Sequence, residues 1–445
     1  MSAAAPAPLL LGVDVGTTGI KSVVFSRTGR ALAGSRRETP WTVVAEGAET
    51  TAEQLRDAAL DSVREAVDAA PPGRIAGIGV ASFAESGVLL DPDGRGTAPV
   101  IAWYDRRDAS ELNELEAALG SLRFSATTGL PFAQQWSITK GRWLSDHAPK
   151  SGSRTIRRLS VAEWIAVALG GRAATEPSLA SRTGWFSLRE RSWWPEALEF
   201  SRVRESWLPE TAEAGTDLGA VRDGVHPRLT GARIAVAGHD HQAAAVGAGA
   251  WRPGEVLDSC GTAEALVRTA EASLDLSAIE RLTAGGVTVG WHALPGRWCL
   301  LGATEGGRVL GALLARLGVD DLAGGIDDRA RALPDTGLRI RADAAAGGRA
   351  ALVAEGDPAA LWRAAVEGVT EDAGRLARLM ERSAGPSARF IAVGGWTASR
   401  ALIDAKRRIL GAVDLPRIDE AGARGAALFA GIAAGMWEDA SSSAF

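Results

Sequence analysis

The feature that most restricts this chain is a strand that turns straight back on itself. Residues Leu9 to Val15 are apolar enough for a buried strand, and Gly16-Thr17-Thr18-Gly19 supplies a tight turn. Ile20 to Ser26 then reads as the returning strand. Arg27-Thr28-Gly29-Arg30 turns the chain again, into Ala31 to Arg37. Helical spacing places Leu55, Ala59, Val63 and Val67 on one face between Ala52 and Ala69. A strand from Ile75 to Ser82 and a hairpin around Asp91-Pro92-Asp93-Gly94 come next. A Rossmann unit would pass from its first strand directly into a helix, and this chain does not.

Three antiparallel strands, a helix and a further strand fit a ribonuclease-H-like unit, so the expected class is α/β. A weaker copy begins at Gly254. Glu255-Val256-Leu257-Asp258 leads into Ser259-Cys260-Gly261-Thr262, and Ala263 to Thr269 reads as the return strand. Each half thus carries a strand, an Asp and a Gly-Thr turn. Gly247, Gly249, Pro253 and Gly254 interrupt the pattern near mid-chain, which sets expected domains at 1–246 and 247–445. The second half ends with an amphipathic helix at Leu361 to Met380 and a strand at Phe390 to Val393 entering Gly394-Gly395. A small-residue helix from Ala421 to Met436 closes it.

With 445 residues, 46% of them hydrophobic, the chain can build two cores. Its net charge of -5 gives little attraction to a phosphate backbone, so nucleic acid is not expected as a partner. Cys260 and Cys299 form no spaced cluster with the histidines, which argues against a disulfide framework or structural zinc. No window approaches the ~20 apolar residues of a membrane span, and no leader pattern opens the chain. A soluble cytoplasmic protein with no membrane partner is expected. Lysine is rare among the basic residues, which makes Lys21, beside the first turn, worth notice.

Asp14-Val15-Gly16-Thr17-Thr18-Gly19-Ile20-Lys21 can do two things at once. A glycine-rich turn lets backbone N–H groups and Thr hydroxyls approach phosphate oxygens. Asp14 at the strand end can hold Mg²⁺ through water. Read alone, the segment is equally an ordinary hairpin with a surface Asp. Gly238-His239-Asp240-His241-Gln242 comes after a strand at Arg233 to Ala237, placing an acid at the sheet's C-terminal edge. Asp240 there suits a general base, and equally a helix N-cap. His239 and His241 point apart on a helix, so they make a poor metal pair.

Taken together these segments resemble the FGGY family of carbohydrate kinases, of the xylulokinase and glycerol kinase type. The first turn is similar to its first phosphate motif, Gly238-His239-Asp240 to its catalytic segment, and Gly261-Thr262 to its second phosphate motif. Gly394-Gly395-Trp396-Thr397-Ala398-Ser399 is similar to its adenosine motif. Trp103-Tyr104-Asp105-Arg106-Arg107, the run Thr175 to Thr183, Leu361 to Gly368 and Glu420 to Gly431 match in order and spacing. The resemblance implies two ribonuclease-H-like domains of the actin/hexokinase ATPase type, with a cleft between them closing on ATP and substrate. The sugar-binding side and catalytic Asp would lie in the first, and the nucleotide side in the second. It implies that Asp240 acts as the base and that Asp14 binds Mg²⁺. Phosphate contacts fall to Gly16, Thr17, Thr18, Lys21, Gly261 and Thr262, and the adenine side to Gly394, Gly395 and Ser399. Glu85, Trp103, Asp240 and His241 would meet a sugar, sugar acid or polyol. Dimers are usual in the family.

Three departures stand out. Ala84 precedes Glu85 where glycerol kinases carry Arg before Glu, so Glu85 lacks its guanidinium neighbour. Trp396 replaces a small residue, to stack on a base or to pack. The stretch Leu338 to Leu352 is short and lacks a Pro-containing segment. A non-catalytic sensor of sugar or nucleotide on the same scaffold is the alternative, against which Asp14, Thr17, Thr18 and Asp240 all stand intact. A chaperone-like ATPase would need a further module, for which there is no spare length.

Overall fold

The computed structural model describes residues 7–45, 47–319, 322, 325–342, 356–443 and 445. Of the segment Leu338 to Leu352, residues 343–352 lie outside them. The chain divides into two compact units. Unit 1 is Met1–Gly247 with Val289–Trp298 and Glu420–Phe445; unit 2 is Ala248–Thr288 with Cys299–Asp419.

Unit 1 is built on strands β1 (Leu9–Val15), β2 (Gly19–Phe25) and β3 (Ala31–Glu38), helix α1 (Ala52–Ala69), and strands β4 (Ile75–Ser82) and β5 (Arg233–His239). The sheet order is β5-β4-β1-β2-β3. The first three strands pair antiparallel, while β4 runs parallel to β1 and β5 parallel to β4. That is the hairpin-first topology the sequence pattern requires.

Alternation along β1 assigns its two faces. Leu9, Leu11, Val13 and Val15 share a core with Leu55, Ala59, Val63 and Val67 of α1, and each fully buried Leu or Val contributes ~1.5–3 kcal/mol. A capping box fixes where α1 begins, with the Thr51 hydroxyl accepting from the Gln54 N–H and the Gln54 side chain accepting from the Thr51 N–H. Leu10 points the other way, toward Ala423, Ala427 and Ala430.

Helix α2 (Asp240–Ala248) comes directly after β5. The chain then forms β6 (Glu255–Cys260), β7 (Glu264–Glu271), β8 (Thr288–Trp291) and β9 (Arg297–Thr304), helix α3 (Gly306–Leu317) and the long helix α4 (Pro358–Ala384). Strand β10 (Arg389–Val393), helix α5 (Arg400–Leu410), strand β11 (Val413–Asp414) and helix α6 (Ala421–Ala433) complete it. The second sheet has the order β8-β9-β7-β6-β10-β11. Strand β7 is antiparallel to β6, whereas β10 is parallel to it and β11 to β10.

The segment 420–445, read from sequence as part of the second half, belongs to unit 1 by its contacts. The reason is close backbone packing. A Cβ on Gly12 of β1 would overlap the carbonyl of Ala423, and one on Gly79 of β4 would overlap that of Ala426. Glycines on the strands and alanines on α6 let helix and sheet touch backbone to backbone. Among the described residues no helix is long and apolar enough to cross a membrane.

Candidate active site

Three parallel strands of unit 1 end level with one another. Val15 stands opposite Ser82, and Ser82 opposite His239. The turn after Asp14, the segment Phe83 to Glu85, and Asp240 therefore all emerge at one sheet edge. Ligands of open α/β sheets bind at this carboxyl edge.

The first turn closes with Gly16 N donating to Gly19 O at 3.0 Å. It is braced from outside by the Thr39 hydroxyl on Gly16 O and the Trp41 indole on Thr17 O, at 2.7 and 2.8 Å. The Trp103 indole donates to the Thr17 hydroxyl at 2.9 Å, which brings two separately expected residues together. Trp41, Phe83 and Tyr104 extend Trp103 into an aromatic wall, with ring centroids 5.5 to 6.3 Å apart. Thr18 is exposed.

Asp14 has a strongly shifted carboxyl at this edge. Burial, then the charge of Asp240, push its carboxyl up to about 7, although Lys21 opposes them. Its Oδ1 is buried without a hydrogen-bond partner among the described residues. Lys21 itself is held by Glu420 at 2.5 Å, at the start of α6.

Asp240 opens α2, and its Oδ1 accepts the His241 N–H at 2.6 Å. His239 Nε2 lies 3.4 Å from the same oxygen. Burial, Arg182 and His241 hold the His239 imidazole well below its usual pKa, so it is neutral. Gly238 makes this placement possible. A register shift falls between Val236 and Gly238, whose φ is +87°. A Cβ there would stand 2.5 Å from the Ser178 hydroxyl, which accepts the His239 N–H.

Glu85 is buried rather than open, and its missing guanidinium is present after all. Arg182 reaches it from the 175–183 run, with Nη2 at 2.6 Å and Nε at 2.7 Å from Oε1. Sequence similarity places Arg182 only inside a matching run and gives it no role. Arg107, by contrast, pairs with both Asp105 and Glu49, as scaffold.

In unit 2, Ser259 stands opposite Val393, so Gly261-Thr262 and Gly394-Gly395 share one sheet edge. Gly394, at φ +109°, sits 2.5 Å from the Cys260 carbonyl measured at its would-be Cβ. Ser399 does not join them. It is fully buried, its hydroxyl donates to Asp327 at 2.6 Å, and it caps α5 by accepting from Leu402 N. Trp396 packs, with its ring 6.1 Å from that of Trp362.

Asp258 occupies the place in unit 2 that Asp14 has in unit 1, yet its setting is opposite. Asp258, Cys260 and Glu264 form a buried group with metal-ligand spacing. The fully buried Lys406 fills that role, 2.5 Å from Asp258 and also paired to Glu264. Burial would depress the Lys406 ammonium, but the two carboxylates hold it well above its usual pKa. Of these two acids, only Asp14 is left without an ion-paired cation among the described residues.

A family model described as "FGGY family of carbohydrate kinases, N-terminal domain" matches residues 9–247. The glycerol kinase of Aromatoleum aromaticum is 31% identical over 465 residues, covering 96% of this chain and 90% of that protein. Glycerol kinase 1 of Pseudomonas aeruginosa is 30% identical over 471 residues, covering 97% and 91%. Two crystal structures share the fold. The xylulose kinase of Rhodospirillum rubrum has a TM-score of 0.83 at 24% identity, over 96% of this chain and 91% of that one. Plasmodium falciparum glycerol kinase with ADP has 0.87 at 18%, over 99% and 92%.

Proposed function

The chain belongs to the FGGY family of carbohydrate kinases, and on that premise we propose that it moves the γ-phosphoryl group of ATP to a hydroxyl of a small sugar, sugar acid or polyol, with Asp240 as the base. The observation that carries the reading is the pair of acids at one sheet edge of unit 1. Asp14 is half-buried, its Oδ1 is buried with no hydrogen-bond partner among the described residues, and it feels the charge of Asp240.

Each acid has a distinct part. Asp240 has Oδ1 held by the His241 N–H, and no described residue hydrogen-bonds Oδ2. Oδ2 takes the proton of the attacking hydroxyl as the new O–P bond forms and the P–O bond to the departing ADP breaks. Asp14 fits Mg²⁺, because a buried carboxylate oxygen with no donor suits a hard cation with oxygen ligands. When bound, that ion neutralises charge on phosphate oxygens. The turn Gly16 to Thr18 and Lys21 supply donors to phosphate in unit 1. In unit 2 the edge of Gly261, Thr262, Gly394 and Gly395 supplies the nucleotide side. Such an ATP-dependent enzyme works in the cytoplasm.

Glu85 and Arg182 present an acceptor and a donor side by side, a pairing suited to adjacent hydroxyls. With glycerol kinases among the relatives, short polyols come first in an acceptor screen. The test is ADP release from Mg-ATP across polyols, pentuloses and aldonates. At least one acceptor should raise release well above the rate without acceptor. No stimulation across the whole panel would contradict the proposal.

A further inference from the structure

Unit 1 contains a cavity of 320 Å³ that none of Asp14, Thr17, Trp103 or Asp240 lines. That volume is at the lower end of small-molecule sites, which are usually mostly apolar with a few placed polar groups. Leu144, Trp185 and Trp207 supply apolar wall, and Arg158 stands in its lining.

Arg158 is the unusual group. It is only 4% exposed, yet no described carboxylate lies within ion-pair distance of it. Glu163 acts on it from farther off, and that carboxylate is taken by the N–H groups of Ser160 and Glu176. The guanidinium gives Nη1 to the Ser160 hydroxyl at 3.1 Å and Nη2 to the Ser137 hydroxyl at 3.0 Å. A guanidinium has five N–H donors, so three have no partner among the described residues. The Trp185 ring faces it at 5.1 Å. Burial lowers its pKa to about 10, which leaves it charged at neutral pH. Burying such a cation without a paired anion is costly.

The other charged groups of the lining, Glu85 apart, are also cationic. Lys140 is matched by Asp108 and Arg202 by Asp146, but Arg204 meets only the Trp207 ring. Glu85, the one acid that lines the cavity, is already taken by Arg182. Arg158 and Arg204 thus lack an ion-paired partner among the described residues, and of the two Arg158 is buried while Arg204 is exposed to solvent.

We propose that this cavity binds a small amphipathic oxyanion, a carboxylate or phosphate head on a compact apolar body, with the head on Arg158 and the body between Trp185 and Trp207. The cavity shares Glu85 with the proposed acceptor side, but its assignment does not rest on the phosphoryl-transfer reading. Calorimetry on the whole chain tests it with benzoate, phenyl phosphate, inorganic phosphate and benzyl alcohol. Benzoate or phenyl phosphate should bind at least tenfold more tightly than the head or the body alone, and the comparison of the two identifies the head. Gly152 lines the cavity, and a Cβ there would meet only Trp207, at 3.9 Å. Gly152→Trp should therefore fold and abolish binding, and Arg158→Gln should weaken it tenfold or more. Absence of binding by both anions, or equal binding in Gly152→Trp, would overturn the assignment.

Discussion

Arg182 clamps Glu85 through two nitrogens on a single carboxylate oxygen, although 97 residues separate the two. Both side chains are buried, and Trp136 covers the guanidinium at 5.2 Å. Removing one partner strands the other charge, which costs ~3–5 kcal/mol in a buried pair. Arg182→Met should lose that much stability in urea titrations, and adding Glu85→Gln should restore a good part of it. A single variant as stable as the parent would remove the pair from the account.

Features that depend on near neighbours are legible in the sequence. The hairpin, the Asp at its entrance and the acid after β5 are written in strand periodicity and turn chemistry, and strand register then sets them level. Arg182 was not legible as the partner of Glu85, because a pair closed over so long a loop leaves no local trace. Nor was the return of Glu420–Phe445 to unit 1. The available signal was Gly12 in β1 with Gly77 and Gly79 in β4, which only a closely packed helix explains. The helix Arg400–Leu410 that Ser399 caps was not read from the sequence.

Gly238 sets the aim of Asp240. Gly238→Ala meets both a positive φ and the Ser178 hydroxyl, so it should cost ~1–3 kcal/mol and lower kcat. Combining it with Ser178→Ala should return part of the stability by removing the clashing oxygen. Equal stability of parent and Gly238→Ala would show that the bend tolerates a side chain.

Glu176 links pH to stability. Burial pushes its carboxyl from 4.5 up to about 7, against the hydrogen bonds from Ser178 and Leu179. Between those values the unfolded chain has released the proton and the folded chain has not, so stability falls as pH rises. The shift corresponds to on the order of 3 kcal/mol. Glu176→Gln should flatten this part of the stability profile between pH 4.5 and 7. A profile that matches the parent's slope would contradict it.

Lys406 stands in for a cation in unit 2. Lys406→Met leaves Asp258 and Glu264 buried together, and should destabilise by ~3–5 kcal/mol at pH 8. Burial raises the Glu264 carboxyl to about 7 with help from Asp258, even though Lys406 opposes them. The loss should therefore shrink toward pH 5, as the acids take up protons. Chemical denaturation at the two pH values measures the difference.

The proposed reaction turns on one carboxylate, that of Asp240, removing the acceptor's proton. Asp240→Asn keeps the shape and the bond from the His241 N–H while deleting the base, and removal of a positioned base costs ~10²–10⁴-fold in rate. With the acceptor found by screening, steady-state ADP release should show kcat lowered by that factor and KM for ATP changed only a few-fold. Turnover equal to the parent's would contradict the account.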